Sequence, residues 1–166
     1  GLIGFGAIAR ESAVRGRAMG MKTIGYDPYL ADGDPNWHES TKVSLDELAS
    51  QADVISLHVP LTDSTRHVVN ADFLTAMKPD AILINAARGG VVDDQALAKA
   101  LAEGVIGGAA LDVFEVEPLT AEAGSKFAGL SNFIATPHIA GVTSESNIRV
   151  SHLIADKVLE KLNATS

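Results

Sequence analysis

The sequence predicts a doubly wound α/β domain built on a parallel sheet, and three observations carry that expectation. Apolar runs of strand length recur at residues 2–5, 22–26, 54–57, 81–84, 108–111 and 133–135. Helical segments alternate with them, the order that a parallel sheet with crossover helices needs. The runs are short and nearly continuous in apolar residues, as expected of strands covered on both faces.

Strand 2–5 leads into the turn Gly4-Phe5-Gly6-Ala7-Ile8-Ala9 and a helix over residues 8–19. Strand 22–26 follows and delivers Asp27 at its end. Residues 28–42 contain Gly33, Pro35 and Asn36 and show no apolar periodicity, so they read as a surface loop. Trp37 within that loop is expected to brace it or cover the core rather than touch a ligand. A helix over residues 45–50 starts at Ser44, with Glu47 three positions on completing a capping box. Helices are also expected at residues 71–77, 93–103 and 144–162, the second opening on Asp93 and Asp94, where the helix dipole favours acid. Residues 114–129, rich in Glu, Pro and small side chains, form a second irregular stretch.

Length and composition narrow the function classes. A chain of 166 residues suits one domain, which at that size buries about 70% of its unfolded surface. Its lack of cysteine excludes disulfides, thiolate zinc sites and thiol nucleophiles, and leans the expected location to the cytoplasm. No metal site is expected. A net charge of −8 argues against a nucleic-acid partner, whose phosphates call for clustered Lys and Arg. No apolar run approaches the roughly 20 residues that span a bilayer, so no membrane partner is expected. The chain opens on Gly1 already inside a strand, as an excerpt from a longer protein would.

The glycine turn fits G-x-G-x-x-G/A through Gly4, Gly6 and Ala9. Gly4 permits the tight turn, Gly6 lets backbone approach a phosphate, and the small Ala9 allows helix and strand to pack closely. Asp27 lies 21 residues beyond Gly6, near the roughly 20 expected of an acid that binds an adenosine ribose. Together these features point to a dinucleotide with its pyrophosphate at the helix N-terminus.

Residues just beyond the remaining strands face the same ligand crevice. They are His58 to Thr62, Asn85 to Gly90, Asp112 to Phe114, and Thr136 to Gly141. Arg88, flanked by small residues, is suited to a carboxylate, with a surface salt bridge as its plain alternative. Glu117 alone reads as a solvated loop acid, and His138 alone as a satisfied, partly buried histidine. Taken together they fill three roles that oxidation of an alcohol requires. The histidine takes the hydroxyl proton, the carboxylate fixes its tautomer, and the arginine holds the substrate carboxylate.

Two longer patterns are more specific. Residues 52–65, reading Ala-Asp-Val-Ile-Ser-Leu-His-Val-Pro-Leu-Thr and on through Thr65, and residues 78–93, from Lys78-Pro79 through Asn85-Ala86-Ala87-Arg88-Gly89-Gly90 to Asp93, match signatures of a known family. The chain resembles the nucleotide-binding domain of the D-isomer-specific 2-hydroxyacid dehydrogenases over nearly its whole length. The resemblance implies a Rossmann domain over residues 1–143. Residues 144–166 would form its last helix, leading back towards a substrate domain absent from this chain. It implies Arg88, Glu117 and His138 as catalytic residues acting on a small 2-hydroxy or 2-oxo acid. Ala7 and Ile8 would lie at the pyrophosphate and Asp112 near the nicotinamide amide, while His58, Pro60, Thr65, Ala86 and Gly141 would line the NAD cleft, with Arg88 and His138 also at the cofactor. A homodimer is implied for the full-length protein.

NAD is expected over NADP on electrostatic grounds. A 2′-phosphate about 4 Å from Asp27 meets a repulsion of about 4 kcal/mol per charge pair at an effective dielectric near 20, roughly a thousandfold in affinity. An alternative is a related NAD(H)-sensing corepressor that keeps the same three residues. A methyltransferase shares the first turn but has no use for the patterns around His58 and Arg88. His38, His67 and His152 are left without a role, and the identity of the acid is not legible.

Overall fold

The computed structural model describes residues 1–163. Seven parallel strands form one sheet in the order β3-β2-β1-β4-β5-β6-β7. They are β1 Leu2–Ile3, β2 Ile24–Tyr26, β3 Thr41–Lys42, β4 Val54–Leu57, β5 Ile82–Asn85, β6 Gly108–Leu111 and β7 Phe133–Ala135. The helices are α1 Ala7–Ala18, α2 Leu45–Gln51, α3 Ala71–Ala76, α4 Asp94–Ala102, α5 Ala121–Gly124 and α6 Ser144–Asn163. The order reverses between β1 and β4, whose register pairs Leu2 with Ser56 and Ile3 with Leu57. That reversal opens a crevice above the C-terminal ends of the strands, where open α/β sheets bind ligands.

Six expected strands and five expected helices form, with ends shifted by a residue or two. The stretch 28–42 is not loop throughout. Asp34 caps a short 3-10 turn at Pro35–Trp37, and Thr41 and Lys42 pair with Ile24 and Gly25 as an edge strand. Two residues are too few for an alternating pattern to show. Backbone bonds from the Thr41 and Val43 amides to the Thr23 and Gly25 carbonyls hold this strand, and just before it the Arg17 guanidinium donates to the Thr23 and Ser40 hydroxyls and pairs with Glu39. Trp37 takes its structural role, 5% exposed, packed 4.6 Å from Phe5 and donating from Nε1 to the Ala31 carbonyl. The second irregular stretch likewise contains α5, capped by Thr120, and a 3-10 turn that brings Phe127 onto Phe133 at 4.3 Å.

Helices α2, α3 and α4 pack on one side of the sheet with Ile55, Leu57 and Leu83 fully buried beneath them. Helix α1 joins Leu2, Phe5 and Trp37 in a smaller cluster of its own through Ala9 and Ala13. Over β4 and β5 the opposite positions Val54, Ser56, Ile82 and Ile84 are only half-buried, so those strands alternate where continuous burial was expected. The long α6 buries no residue at all, and Ile148, Leu153, Ile154, Leu159 and Leu162 stand exposed along it. Residues 164–166 of the expected final segment lie outside the described residues. No helix among the described residues is long and apolar enough to cross a membrane.

Candidate active site and dinucleotide cleft

The glycine turn has the shape its residues require. Gly4 sits at φ 82°, and a Cβ there would meet Val59 Cγ1 at 2.7 Å and the His58 carbonyl oxygen at 2.8 Å. Left-handed backbone and the close pass of β4 therefore both demand glycine. Gly6 precedes α1 as its N-cap and faces open space, with nothing within 4 Å of where its Cβ would be. No side chain caps that helix and no acid occupies its first turn. The α1 amides thus face an open, uncontested crevice, which fits a dinucleotide pyrophosphate. Ala9, fully buried, packs the helix against the strand.

Asp27 does more than the sequence foretold. Its Oδ2 accepts from the Phe5 amide at 2.8 Å and its Oδ1 from the Tyr29 amide at 2.9 Å, so the carboxylate ties the end of β2 to the glycine turn. It lines a cleft of about 510 Å³ with Gly4, Gly6, His58, Pro60 and Thr65. Thr65 shapes that wall by donating from Oγ1 to the Pro60 carbonyl and accepting the Thr62 amide. Among the described residues the buried His58 Nε2 has no hydrogen-bond partner, and burial lowers the pKa of the ring.

A second cleft of about 360 Å³ adjoins the first through His58 and Pro60 and brings in Ile8, Ala86, Arg88 and Gly141. Buried Asn85 shapes the turn that presents Arg88, since its Oδ1 accepts the Ala87 amide and its Nδ2 donates to the Arg88 carbonyl. The exposed Arg88 guanidinium donates to the Ala87 carbonyl at 2.6 Å and pairs with no carboxylate among the described residues. The plain surface salt bridge is therefore not what this structure holds.

The third cleft, about 660 Å³, contains Asp112, Glu117 and His138. Glu117 Oε2 lies 2.8 Å from His138 Nδ1, while its Oε1 accepts the Phe114 amide at 3.0 Å. Burial alone would raise the Glu117 carboxyl, but the Phe114 amide and the His138 ring hold it below its ordinary value. His138 has φ 56°, a left-handed conformation uncommon for a residue with a Cβ. What holds it there is Asp112. This carboxylate is 6% exposed and accepts from the Thr136 hydroxyl and from the Ile139 and Ala140 amides. Burial would raise its pKa, but these donors outweigh that effect and lower it. Nothing in the sequence distinguished this anchoring of the His138 loop.

His67, left without a role by the sequence, makes one ionic contact. Its Nε2 lies 2.6 Å from Glu115 Oε1. It sits three residues before Asn70, the N-cap of α3, at φ 50° with its amide on the Gly90 carbonyl, and no sequence signal marked it.

A parallel sheet with reversed strand order, an open glycine turn and an acid at the end of β2 define a Rossmann-type dinucleotide-binding domain. Residues 1–140 match the family described as D-isomer specific 2-hydroxyacid dehydrogenase, NAD binding domain, and the chain belongs to that family. It is 48% identical over 163 residues to the (S)-sulfolactate dehydrogenase of Chromohalobacter salexigens, covering 98% of this chain and 52% of that protein. The hydroxypyruvate reductase of Thermotoga maritima is 46% identical over 162 residues, with the same coverage of 98% and 52%. Among solved structures, D-lactate dehydrogenase from Aquifex aeolicus, complexed with NAD and lactic acid, superposes with a TM-score of 0.86 at 37% identity, covering 98% of this chain and 53% of that one. The chain spans about half the length of the curated relatives it matches.

Proposed function

We propose that this chain is the NAD-binding half of a D-2-hydroxyacid dehydrogenase, which interconverts a small 2-hydroxy acid and its 2-oxo acid. The observation that carries the reading is the His138–Glu117 pair standing in a cleft at the same sheet edge as an unpaired Arg88. Glu117 at Nδ1 favours the neutral tautomer protonated there, leaving Nε2 as the base. His138 then accepts the C2 hydroxyl proton in oxidation and returns it in reduction, and Glu117 stabilises the charged ring in between. Arg88 offers its planar fork to the substrate carboxylate. Bound NAD supplies the acceptor or donor of the two electrons at C2.

On this reading Ala7 and Ile8 meet the pyrophosphate and Asp27 the adenosine ribose. His58, Pro60, Thr65, Ala86 and Gly141 line the cofactor, and Asp112 serves the nicotinamide end through the loop it anchors. Residues 1–143 are the nucleotide domain, and 144–166 return towards a substrate domain that covers the apolar face of α6. A homodimer and a cytoplasmic location complete the proposal, the first open to light scattering on the full-length protein. This half alone is expected to bind cofactor without turnover.

The test is a panel of 2-oxo acids given to the full-length protein with NADH, followed by absorbance loss, beside His138→Ala. Turnover of at least one acid, lost in the variant with NADH affinity retained, is the expected result. Undiminished turnover in His138→Ala would remove the mechanism.

A further inference from the structure

Arg88 and the Glu117–His138 pair sit on loops that follow different strands, yet their relative placement must hold to a fraction of an ångström for chemistry to proceed. The described residues show what joins the two loops. Gly89 passes so close to the 114–115 peptide that a Cβ there would overlap the Phe114 carbonyl oxygen. One turn further, Asp94 and Glu115 exchange hydrogen bonds: the Glu115 amide donates to Asp94 Oδ2 at 3.2 Å, and the Asp94 amide donates to Glu115 Oε1 at 3.3 Å. The same Glu115 Oε1 lies 2.6 Å from His67 Nε2. His67 in turn donates its amide to the Gly90 carbonyl at 2.9 Å. A closed circuit results, running from the Arg88 loop through Gly90, His67, Glu115 and Asp94 back to the start of α4. Two residues beyond Glu115, Glu117 reaches His138, and its other oxygen holds the Phe114 amide.

None of these three side chains lines the clefts that hold Arg88, Glu117 and His138. Asp94 is 4% exposed, so its carboxylate is committed to this contact rather than to solvent. Glu115 therefore makes contacts on the far side of the same short turn from which Glu117 addresses the histidine.

We propose that His67, Asp94 and Glu115 are positioning residues that clamp the Arg88 loop to the Glu117 loop and so set the distance between the substrate-carboxylate site and the acid/base. The inference rests on the roles given above to Arg88 and His138, and its test separates the two. Opening the clamp lets Arg88 drift from the base while the glycine turn and Asp27, built on β1 and β2, stay in place. KM for the 2-oxo acid should rise and kcat fall while the dissociation constant for NADH holds.

The experiment compares Glu115→Ala and Glu115→Gln in the full-length protein, with His138→Ala as the reference. Gln keeps an acceptor for His67 and the Asp94 amide but loses the charge. The expected order of kcat/KM is wild type, Gln, then Ala, with Ala down by about a hundredfold and Gln by about tenfold. NADH affinity should stay within about twofold in both, since binding and chemistry are apportioned separately. Should the Ala variant fail to fold, the Gln variant decides by the same split. Unchanged kcat/KM in Gln and Ala, beside an inactive His138→Ala, overturns the clamp and leaves the site intact. Equal losses of NADH affinity and turnover also overturn it, by showing general unfolding of the domain. An active His138→Ala would instead remove the site on which the clamp depends.

Discussion

The two ends of the crevice are made by different means. At the end proposed for the adenosine the backbone does most of the shaping: Gly4 holds a left-handed turn against β4 and Gly6 leaves its amides open, with the Asp27 carboxylate alone tying the Phe5 and Tyr29 amides together. At the end proposed for the substrate side chains do it: Asn85 builds the Arg88 turn, Asp112 anchors the His138 loop, and Glu117 bridges Phe114 and the imidazole. Backbone shaping needs particular residues with particular φ values, whereas a network of side chains can be loosened one bond at a time. Damage at the first end should cost binding and folding, and damage at the second should cost turnover.

The largest effect expected is at the substrate end. His138→Ala should reduce kcat by about 10²–10⁴, the range attributed to positioned acid/base groups, with NADH affinity unchanged by fluorescence titration. If affinity fell as steeply as kcat, the two ends would not be separable. Next, Asp27→Asn should lower the preference for NAD over NADP by up to roughly a thousandfold, read as the ratio of the two dissociation constants. The amide keeps an acceptor for Phe5, so the glycine turn survives, and an unaltered ratio would refute the ribose assignment. Gly4→Ala should destabilise the domain by about 1–3 kcal/mol in urea unfolding, because the new Cβ is strained at φ 82° and crowds Val59 and His58. A variant as stable as the parent would show that the turn yields more easily than the packing implies.

The smallest effect is one of pH. Asp112 and Glu117 are held below their ordinary values of 3.8 and 4.5. A carboxyl depressed in the folded state binds fewer protons there than in the unfolded chain. Its stabilisation is complete above the ordinary value and is lost as the pH falls through the folded one. Thermal melts between about pH 6 and pH 3 should therefore show Tm declining on the acid side, with a shallower decline in Asp112→Asn. An identical decline in the variant would mean that the bonds to the His138 loop do not favour the ionised form.

What could be read from the chain alone follows the same division. The glycine turn, Asp27 and the six principal strands announced themselves, because left-handed turns and buried parallel strands demand residue types that stand out in one dimension. Thr41 and Lys42 did not, since a two-residue edge strand held by its backbone ladder carries no period. Arg88, Glu117 and His138 stood out as candidates, Arg88 within the 78–93 pattern and the other two through their residue types and the family resemblance. The anchoring by Asp112 and the contact of His67 with Glu115 were not, because each joins residues far apart in sequence through one carboxylate among 21 acids. Charge composition does not tell one such acid from another. Helix α6 was foreseen as a helix and found without a buried side, since an amphipathic period says which face is apolar and nothing about what meets it.

The reversal of strand order between β1 and β4 has a consequence for inheritance. Everything on the outer side of that seam, from the glycine turn through Asp27 to the capped start of α2, belongs to one uninterrupted stretch of chain, and the three residues proposed to handle the substrate come after it. On the proposed roles, the acid that sets nucleotide preference, Asp27, lies in the first segment, although His58, Pro60 and Thr65, which share its cleft, come later in the chain. Recombination between relatives at the seam would exchange Asp27 and the glycine turn as a cassette and leave Arg88, Glu117 and His138 with their own supports.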